Sequence, residues 1–187
     1  MIELVSFLGN PGKEYETTRH NLPWLVANEI TQRESLLWQQ KFKGAYAKIM
    51  RDHSIAYLHK PLTFMNLSGR SVREIMAFFK LSADNLLVVH DDVETALGKI
   101  GFKLGGGLGG HNGLRSIVSA LGTKDFYRLR IGVGRPPKGP VSSYVLARLT
   151  VQQIETFQPV LLSAADIIEN LIENSGSIEK YLESSPW

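Results

Sequence analysis

Cysteine is absent from the sequence. That absence excludes disulfides, a thiol nucleophile and a cysteine-ligated zinc. Long apolar runs are missing as well: no stretch approaches the ~18 residues that crossing a bilayer requires, so no membrane partner is expected. Met1-Ile2-Glu3-Leu4 has none of the basic character of a secretory signal, and a cytoplasmic location is expected. No internal repeat, low-complexity tract or long linker interrupts the chain. Acids are scarce in one block. Residues 95–150 hold nine Lys or Arg against Asp125 alone, a net +8, whereas residues 151–187 hold six acids against one lysine, a net −5. Two solvated faces of opposite sign would account for the split. The basic block encloses a glycine run, however, which points to a polyanionic partner.

What remains is an ordinary globular composition, 43% hydrophobic and 21% charged in 187 residues. That length suits a single domain over residues 1–187. Strand-like runs fall at 4–8, 46–50, 55–58, 86–89, 100–104 and 127–133. Val72, Ile75, Met76 and Phe79 recur at helical spacing after Ser71-x-x-Glu74, a capping-box pattern that predicts a helix start there. Further helices are predicted over 21–34, after the glycines through Ile117, Val118 and Leu121, and from Thr150-x-x-Gln153 through Ile168, Leu171 and Ile172, with Pro159 as a kink site. Strands alternating with helices predict an α/β three-layer sandwich, a mainly parallel sheet flanked by helices. Residues 127–133 alternate as an antiparallel or half-exposed strand does, so the twisted sheet is expected to be mixed.

In such sheets ligands gather at the carboxyl ends of the strands. That rule brings together Gly9-Asn10-Pro11-Gly12, residues 60–66, His90-Asp91-Asp92, and the run Gly105-Gly106-Gly107-Leu108-Gly109-Gly110-His111-Asn112. The glycines formally match the dinucleotide fingerprint, but the acid expected about 20 residues later is missing, and Arg128 and Arg130 stand there instead. No Gly-Lys-Ser/Thr follows, so the run is not a P-loop. A flexible turn with tight strand–helix packing would explain the glycines standing alone. His111 and Asn112 add polar side chains at a helix start, where backbone N–H groups are free.

Among the histidines, His53 beside Asp52 reads as a solvated hairpin residue, and His59 ends a strand. His20 lies at a helix start and His90 precedes Asp91. A single histidine is more often structural than catalytic. Asp91 changes the balance for His20, because a carboxylate at a strand end could hold its imidazole in the right tautomer and stabilise the imidazolium. With no cysteine and no serine in a Gly-x-Ser-x-Gly elbow, the nucleophile would be water and His20 its general base. A metal centre of His20, Asp91, Asp92 and His111 is the rival, although no His-x-x-x-His or His-Glu-x-x-His spacing supports it. The amides of Asn10, Asn66 and Asn112 can donate to a carbonyl or oxyanion and accept from an N–H, which suits an ester or amide next to a peptide chain. Turn and cap duty is the alternative, strongest for Asn10 before Pro11-Gly12.

The blocks Phe7-Leu8-Gly9-Asn10-Pro11-Gly12-Lys13-Glu14-Tyr15, Thr18-Arg19-His20-Asn21, Lys60-Pro61-Leu62-Thr63-Phe64-Met65-Asn66-Leu67-Ser68-Gly69, His90-Asp91-Asp92, Phe102-Lys103-Leu104 with the glycine run, and Arg130-Ile131-Gly132-Val133-Gly134-Arg135-Pro136 resemble the bacterial peptidyl-tRNA hydrolase family. They stand in family order over nearly the whole chain. The resemblance implies a monomeric α/β enzyme, without cofactor or metal, that hydrolyses the ester joining a peptide to the terminal ribose of tRNA and so recycles peptidyl-tRNA dropped by ribosomes. It makes His20 the general base and Asp91 its supporting acid. Asn10 then helps distinguish N-blocked from free aminoacyl-tRNA. Asn66 and Asn112 bind the peptide end or the attacking water, with Tyr15, Phe64, Met65 and His111 in the same binding region. Lys103 and Arg135 are implied as contacts to tRNA phosphates. Asn21-Leu22-Pro23, Leu108 and Val93-Glu94-Thr95-Ala96 depart from the family pattern, so the helix start after His20 and the flap near Asp92 are expected to differ in detail. Two other classes compete: a non-catalytic RNA-binding domain, which would require neither His20 nor Asp91, and a nucleotide-dependent oxidoreductase.

Overall fold

The six β-branched and apolar runs, with one short polar segment, become the seven strands of one sheet: β1 (Leu4–Phe7), β2 (Gln39–Lys41), β3 (Gly44–Arg51), β4 (Ser54–Pro61), β5 (Leu86–Asp92), β6 (Ile100–Leu104) and β7 (Tyr127–Gly132). The computed structural model describes residues 1–51, 54–174 and 177–184; Asp52 and His53 lie outside them. The strand order is β2-β3-β4-β1-β5-β7-β6. The four inner strands β4, β1, β5 and β7 run parallel, while β2, β3 and β6 add antiparallel edges. β1 shows why the centre is parallel. Val5 and Phe7 join one apolar cluster and Leu4 and Leu8 the other, so the strand is buried on both faces.

α1 (Leu22–Glu34) and α5 (Val151–Glu173) cover the first face through Val26, Ile30, Leu161, Ile168 and Leu171. α2 (Ser68–Phe79) and α3 (Asn112–Leu121) cover the second through Val72, Ile75, Leu114 and Ile117. This is the expected three-layer sandwich. Thr150 caps α5 with Gln153 as its spacing predicts, and the helix continues through Pro159. The predicted start of α2 is displaced. The helix begins at Ser68, directly after a 3₁₀ turn at Met65–Leu67, so Ser71 lies inside it and caps nothing. The Ser71 hydroxyl instead donates to the Phe42 carbonyl at 2.6 Å and faces His59 Nε2 at 2.8 Å. With its proton committed to Phe42, Ser71 must accept from His59 Nε2–H, and Nδ1 then accepts from Ser6, 3.1 Å away. His59 is thus a neutral packing residue, and burial pushes its pKa down to about 3.

β7 decides between the two readings of its alternation. It pairs antiparallel with β6, and it is not half-exposed, because it lies inside the sheet between β5 and β6. Leu129, Ile131 and Arg128 are all buried. The polar period reflects a buried cation rather than solvent. Three short elements carried too little pattern to be anticipated: the all-polar β2, the six-residue α4 (Val141–Leu146) and α6 (Ser177–Ser184).

Candidate active site

The loops after β1, β4 and β5 and the glycine run after β6 converge on one rim, around a cleft of about 770 Å³. Asn10, Tyr15 and His20 line it from the first segment, Phe64, Met65 and Asn66 from the second, and Asp91 from the third. Lys103, His111, Asn112 and Arg135 complete the set named from sequence. Phe64 is well exposed, while Met65 is buried. The close fit at the α3 start depends on Gly113, where an added Cβ would come within 2.5 Å of Met65 Sδ.

His20 sits in a 3₁₀ turn, Arg19–Asn21, that leads into α1, with Pro23 in the first helical turn. Its Nδ1 is 2.7 Å from Asp91 Oδ1, and His111 Nε2 is 3.1 Å from the same oxygen. The tautomers follow from the helix start. His111 is the N-cap of α3, and its Nδ1 accepts the backbone N–H groups of Gly113 and Leu114 at 3.1 and 3.4 Å. The neutral His111 ring therefore carries its proton on Nε2 and donates it to Asp91. Asp91 is only 2% exposed and so receives two N–H donors on one oxygen. His20 donates from Nδ1, which leaves Nε2 as the ring's basic nitrogen.

Burial of His20 disfavours its charge, but the coulombic pull and hydrogen bond of Asp91 outweigh this and raise its pKa above the ordinary histidine value. Burial also works to raise the Asp91 carboxyl. The His20 charge and the hydrogen bonds from His111 and His20 together overcome it, so Asp91 is held well below the usual carboxylate range. His90, next along β5, differs. Its Nδ1 donates to the Asp91 carbonyl at 2.7 Å, and burial followed by His111 pushes its pKa down to about 3. It is a neutral neighbour, not a base.

Asn10 does more than hold a turn. Its N–H donates to Asn21 Oδ1 at 2.9 Å, its carbonyl accepts from Asn21 Nδ2 at 2.9 Å, and its Oδ1 accepts the Met65 N–H at 2.8 Å. Three segments of the rim are tied together by this one residue, and among the described residues its Nδ2 has no protein acceptor. Asn112 Oδ1 accepts from Arg115 at 3.2 Å. Asn66 and Asn112 also border a second groove lined by Arg70, Arg73 and Arg115. Arg135 pairs with exposed Glu94, an interaction of little weight in solvent. Sequence reasoning placed Arg130, which lines the cleft 3.3 Å from Asp92 Oδ2, in a family block but did not make it a site residue. Nor did it name the wall of Val141, Val145 and Leu146 from α4. Arg19 fastens that wall to the His20 turn, stacking over the Tyr144 ring at 4.1 Å.

The rival metal reading draws on the same atoms. His20, Asp91 and His111 present ligand atoms within 4.8 Å of one another, and Asp92 is not among them. The donor set fits a hydrogen-bond network better than a metal, because the cap leaves His111 Nε2 protonated and without a lone pair to offer.

A family model described as Peptidyl-tRNA hydrolase matches residues 4–185. A curated peptidyl-tRNA hydrolase from Trichlorobacter lovleyi is 47% identical over 171 residues, covering 91% of this chain and 89% of that protein. One from Treponema pallidum is 45% identical over 176 residues, covering 91% and 87%. The crystal structure of peptidyl-tRNA hydrolase from Acinetobacter baumannii superposes with a TM-score of 0.89 at 31% identity, over 97% of this chain and 93% of that one. The His20–Asp91 pair thus lies in a cleft whose fold and sequence both have the same relatives, and the chain belongs to the peptidyl-tRNA hydrolase family.

Proposed function

We propose that His20 takes the proton from a water that attacks the ester carbon joining a peptide to the terminal ribose of tRNA, with Asp91 holding the ring and stabilising its charged form. The reaction itself, hydrolysis of peptidyl-tRNA, is that of the family to which the chain belongs. The observation that supports the mechanism is the 2.7 Å contact between His20 Nδ1 and Asp91 Oδ1 on the wall of the cleft. As water oxygen bonds to the acyl carbon, its proton passes to His20 Nε2. When the carbon–oxygen bond to ribose breaks, the proton goes on to the departing ribose oxygen. Asn66 and Asn112 are assigned to the peptide end or the water, Tyr15, Phe64, Met65 and His111 to its surroundings, and Lys103 and Arg135 to RNA phosphates. In this reading residues 1–187 work as one monomeric domain in the cytoplasm; no helix among the described residues is long and apolar enough to cross a membrane. The direct test is incubation with N-acetyl-aminoacyl-tRNA and with its unacetylated counterpart. Release of the acyl group from the first and little from the second is expected, and release from neither refutes the reading.

Asn10 is assigned to that discrimination through Nδ2, since a free α-amine arrives charged and desolvates at greater cost. Asn10→Ala is expected to lower the preference for the N-blocked substrate by about fivefold, one hydrogen bond's worth. It also orphans the Met65 N–H and costs about 1–3 kcal/mol of stability. Asn10→Asp keeps an acceptor for Met65 but loses the donor, so it should lose selectivity while melting close to the wild type. Equal rate losses on both substrates would reduce Asn10 to a scaffold residue.

Water activation by the His20–Asp91 pair needs no Lewis acid. Exhaustive chelation of the protein is expected to leave the rate within about twofold, given tRNA that keeps its own fold. Loss of activity restored specifically by zinc or manganese would promote the metal reading instead.

A further inference from the structure

The proposed mechanism does not use Arg128, the largest fully buried side chain among the described residues. Its hydrogen bonds go to carbonyls rather than to a carboxylate. Nη1 donates to Gly107 at 2.8 Å, and Nη2 to Gly106 and Lys124 at 3.3 and 3.4 Å. The guanidinium also stands 5.0 Å from the Phe126 ring centre, and its Nε has no partner. Burying a cation without a counter-ion is costly. Here the fork grips two consecutive peptide units of the glycine loop.

That grip fixes the other side of the loop. In a planar trans peptide the C=O and the following N–H point in opposite directions. With the Gly106 and Gly107 carbonyls turned down to Arg128, the N–H groups of Gly107 and Leu108 turn away from it. Both residues line the cleft, and among the described residues neither N–H donates to a protein acceptor. Gly106, at φ +89°, permits this turn. Lys103 is directly opposite Arg128 in the β6–β7 register, so both side chains project from the same face of the sheet. The Lys103 ammonium lies against the loop, about 3.4 Å from where a Cβ on Gly106 would stand.

We propose that Arg128 is a positioning residue that aims the Gly107 and Leu108 N–H groups into the cleft, where with the Lys103 ammonium they form a seat for one phosphate of the substrate's RNA. Consecutive backbone N–H groups beside a cation are a recurrent way to hold such an anion. The assignment rests on the tRNA substrate proposed above. Lys103 supplies charge, and Arg128 supplies the orientation of donors that carry no charge of their own.

The test compares wild type, Arg128→Met and Arg128→Lys for melting temperature, affinity for deacylated tRNA, and KM and kcat on N-acetyl-aminoacyl-tRNA. Arg128→Met is expected to weaken tRNA binding and raise KM about tenfold, as losing two hydrogen bonds to a charged group implies, with kcat falling less than twofold. Arg128→Lys keeps a buried cation but cannot fork across two carbonyls. It provides a second folded variant and should also weaken binding, by a smaller factor. Combining Arg128→Met with Lys103→Ala should cost less than the product of the single effects, because both act on one phosphate. Wild-type tRNA affinity in either folded variant overturns the proposal, as does a fall in kcat that matches the fall in kcat/KM. Should the wild type release no acyl group, the hydrolase reading fails, while the comparison of tRNA affinities still decides the role of Arg128.

Discussion

His20→Ala lowers acyl release from N-acetyl-aminoacyl-tRNA by about 10²–10⁴-fold, the range that a positioned general base supplies. The surroundings leave nothing to replace the lost imidazole. His111 is spent as a helix cap on one nitrogen and as a donor to Asp91 on the other. His90 is buried and neutral, with its Nδ1 proton on the Asp91 carbonyl. The fold tolerates the substitution for a related reason: Asp91 keeps the His111 donor and is not left buried without a partner. Melting temperature and tRNA affinity should therefore remain near wild type while single-turnover rates collapse. The base acts only when neutral, so the wild-type rate should rise with pH through the His20 pKa. That limb lies above the ordinary histidine value, because burial, which opposes the charge, is outweighed by Asp91. A variant that kept most of the rate would remove His20 from the reaction. The same assay separates the competing classes, since pure RNA binding depends on no imidazole.

The parts of the molecule legible in advance are those where one physical signal dominates. Alternating apolar runs and helical spacing marked every inner strand and the four helices that sandwich them, because burial on both faces leaves a continuous apolar signature. The carboxyl-end rule anticipated the segments after β1, β4 and β5, and His20 and Asp91 met across 71 residues. The glycine run leaves the antiparallel β6 beside the start of β7, at the opposite strand ends, and reaches the cleft only through its later residues. Signals that depend on neighbours distant in sequence were less legible. Ser71-x-x-Glu74 looks like a helix start, yet Ser71 is needed by His59 and Phe42 from the sheet side, while Glu74 pairs with Lys43. Arg128 and Arg130 look solvent-facing along a strand, yet one supports the glycine loop and the other pairs with Asp92. α4 is too short to show a period, and Arg19 and Tyr144 secure it by a stacking contact spanning 125 residues. Asn10 reads as a turn residue because the partners that make it a bridge, Asn21 and Met65, lie in two other segments.

Asp91→Asn should cost far less than His20→Ala, about 10–100-fold, and should move the pH profile in a defined direction. Where a single histidine leans on its acid, an asparagine can turn its NH₂ toward the ring and force the wrong tautomer, a loss of about 10⁴-fold in the serine protease triad. Here two rings share Asp91 Oδ1. His111 cannot invert its protonation without giving up the N–H groups of Gly113 and Leu114, so its Nε2–H still demands an oxygen at that place. The carboxamide introduced by Asp91→Asn is thereby held with its oxygen toward both rings, and His20 keeps its Nδ1 proton and its basic Nε2. What disappears is charge. Burial still disfavours the imidazolium, while the coulombic attraction that had outweighed it is gone, so the His20 pKa falls and the rising limb shifts to lower pH. The plateau is lower because a weaker base faces water and no carboxylate stabilises the charge it acquires. Rates of wild type and Asp91→Asn measured from acid to neutral pH decide the matter. An unmoved limb would mean that the titrating group is not His20. A loss as deep as that of His20→Ala would mean that His111 does not fix the tautomer, and Asp91→Asn combined with His111→Ala, which frees the carboxamide to flip, should deepen the defect beyond either change alone.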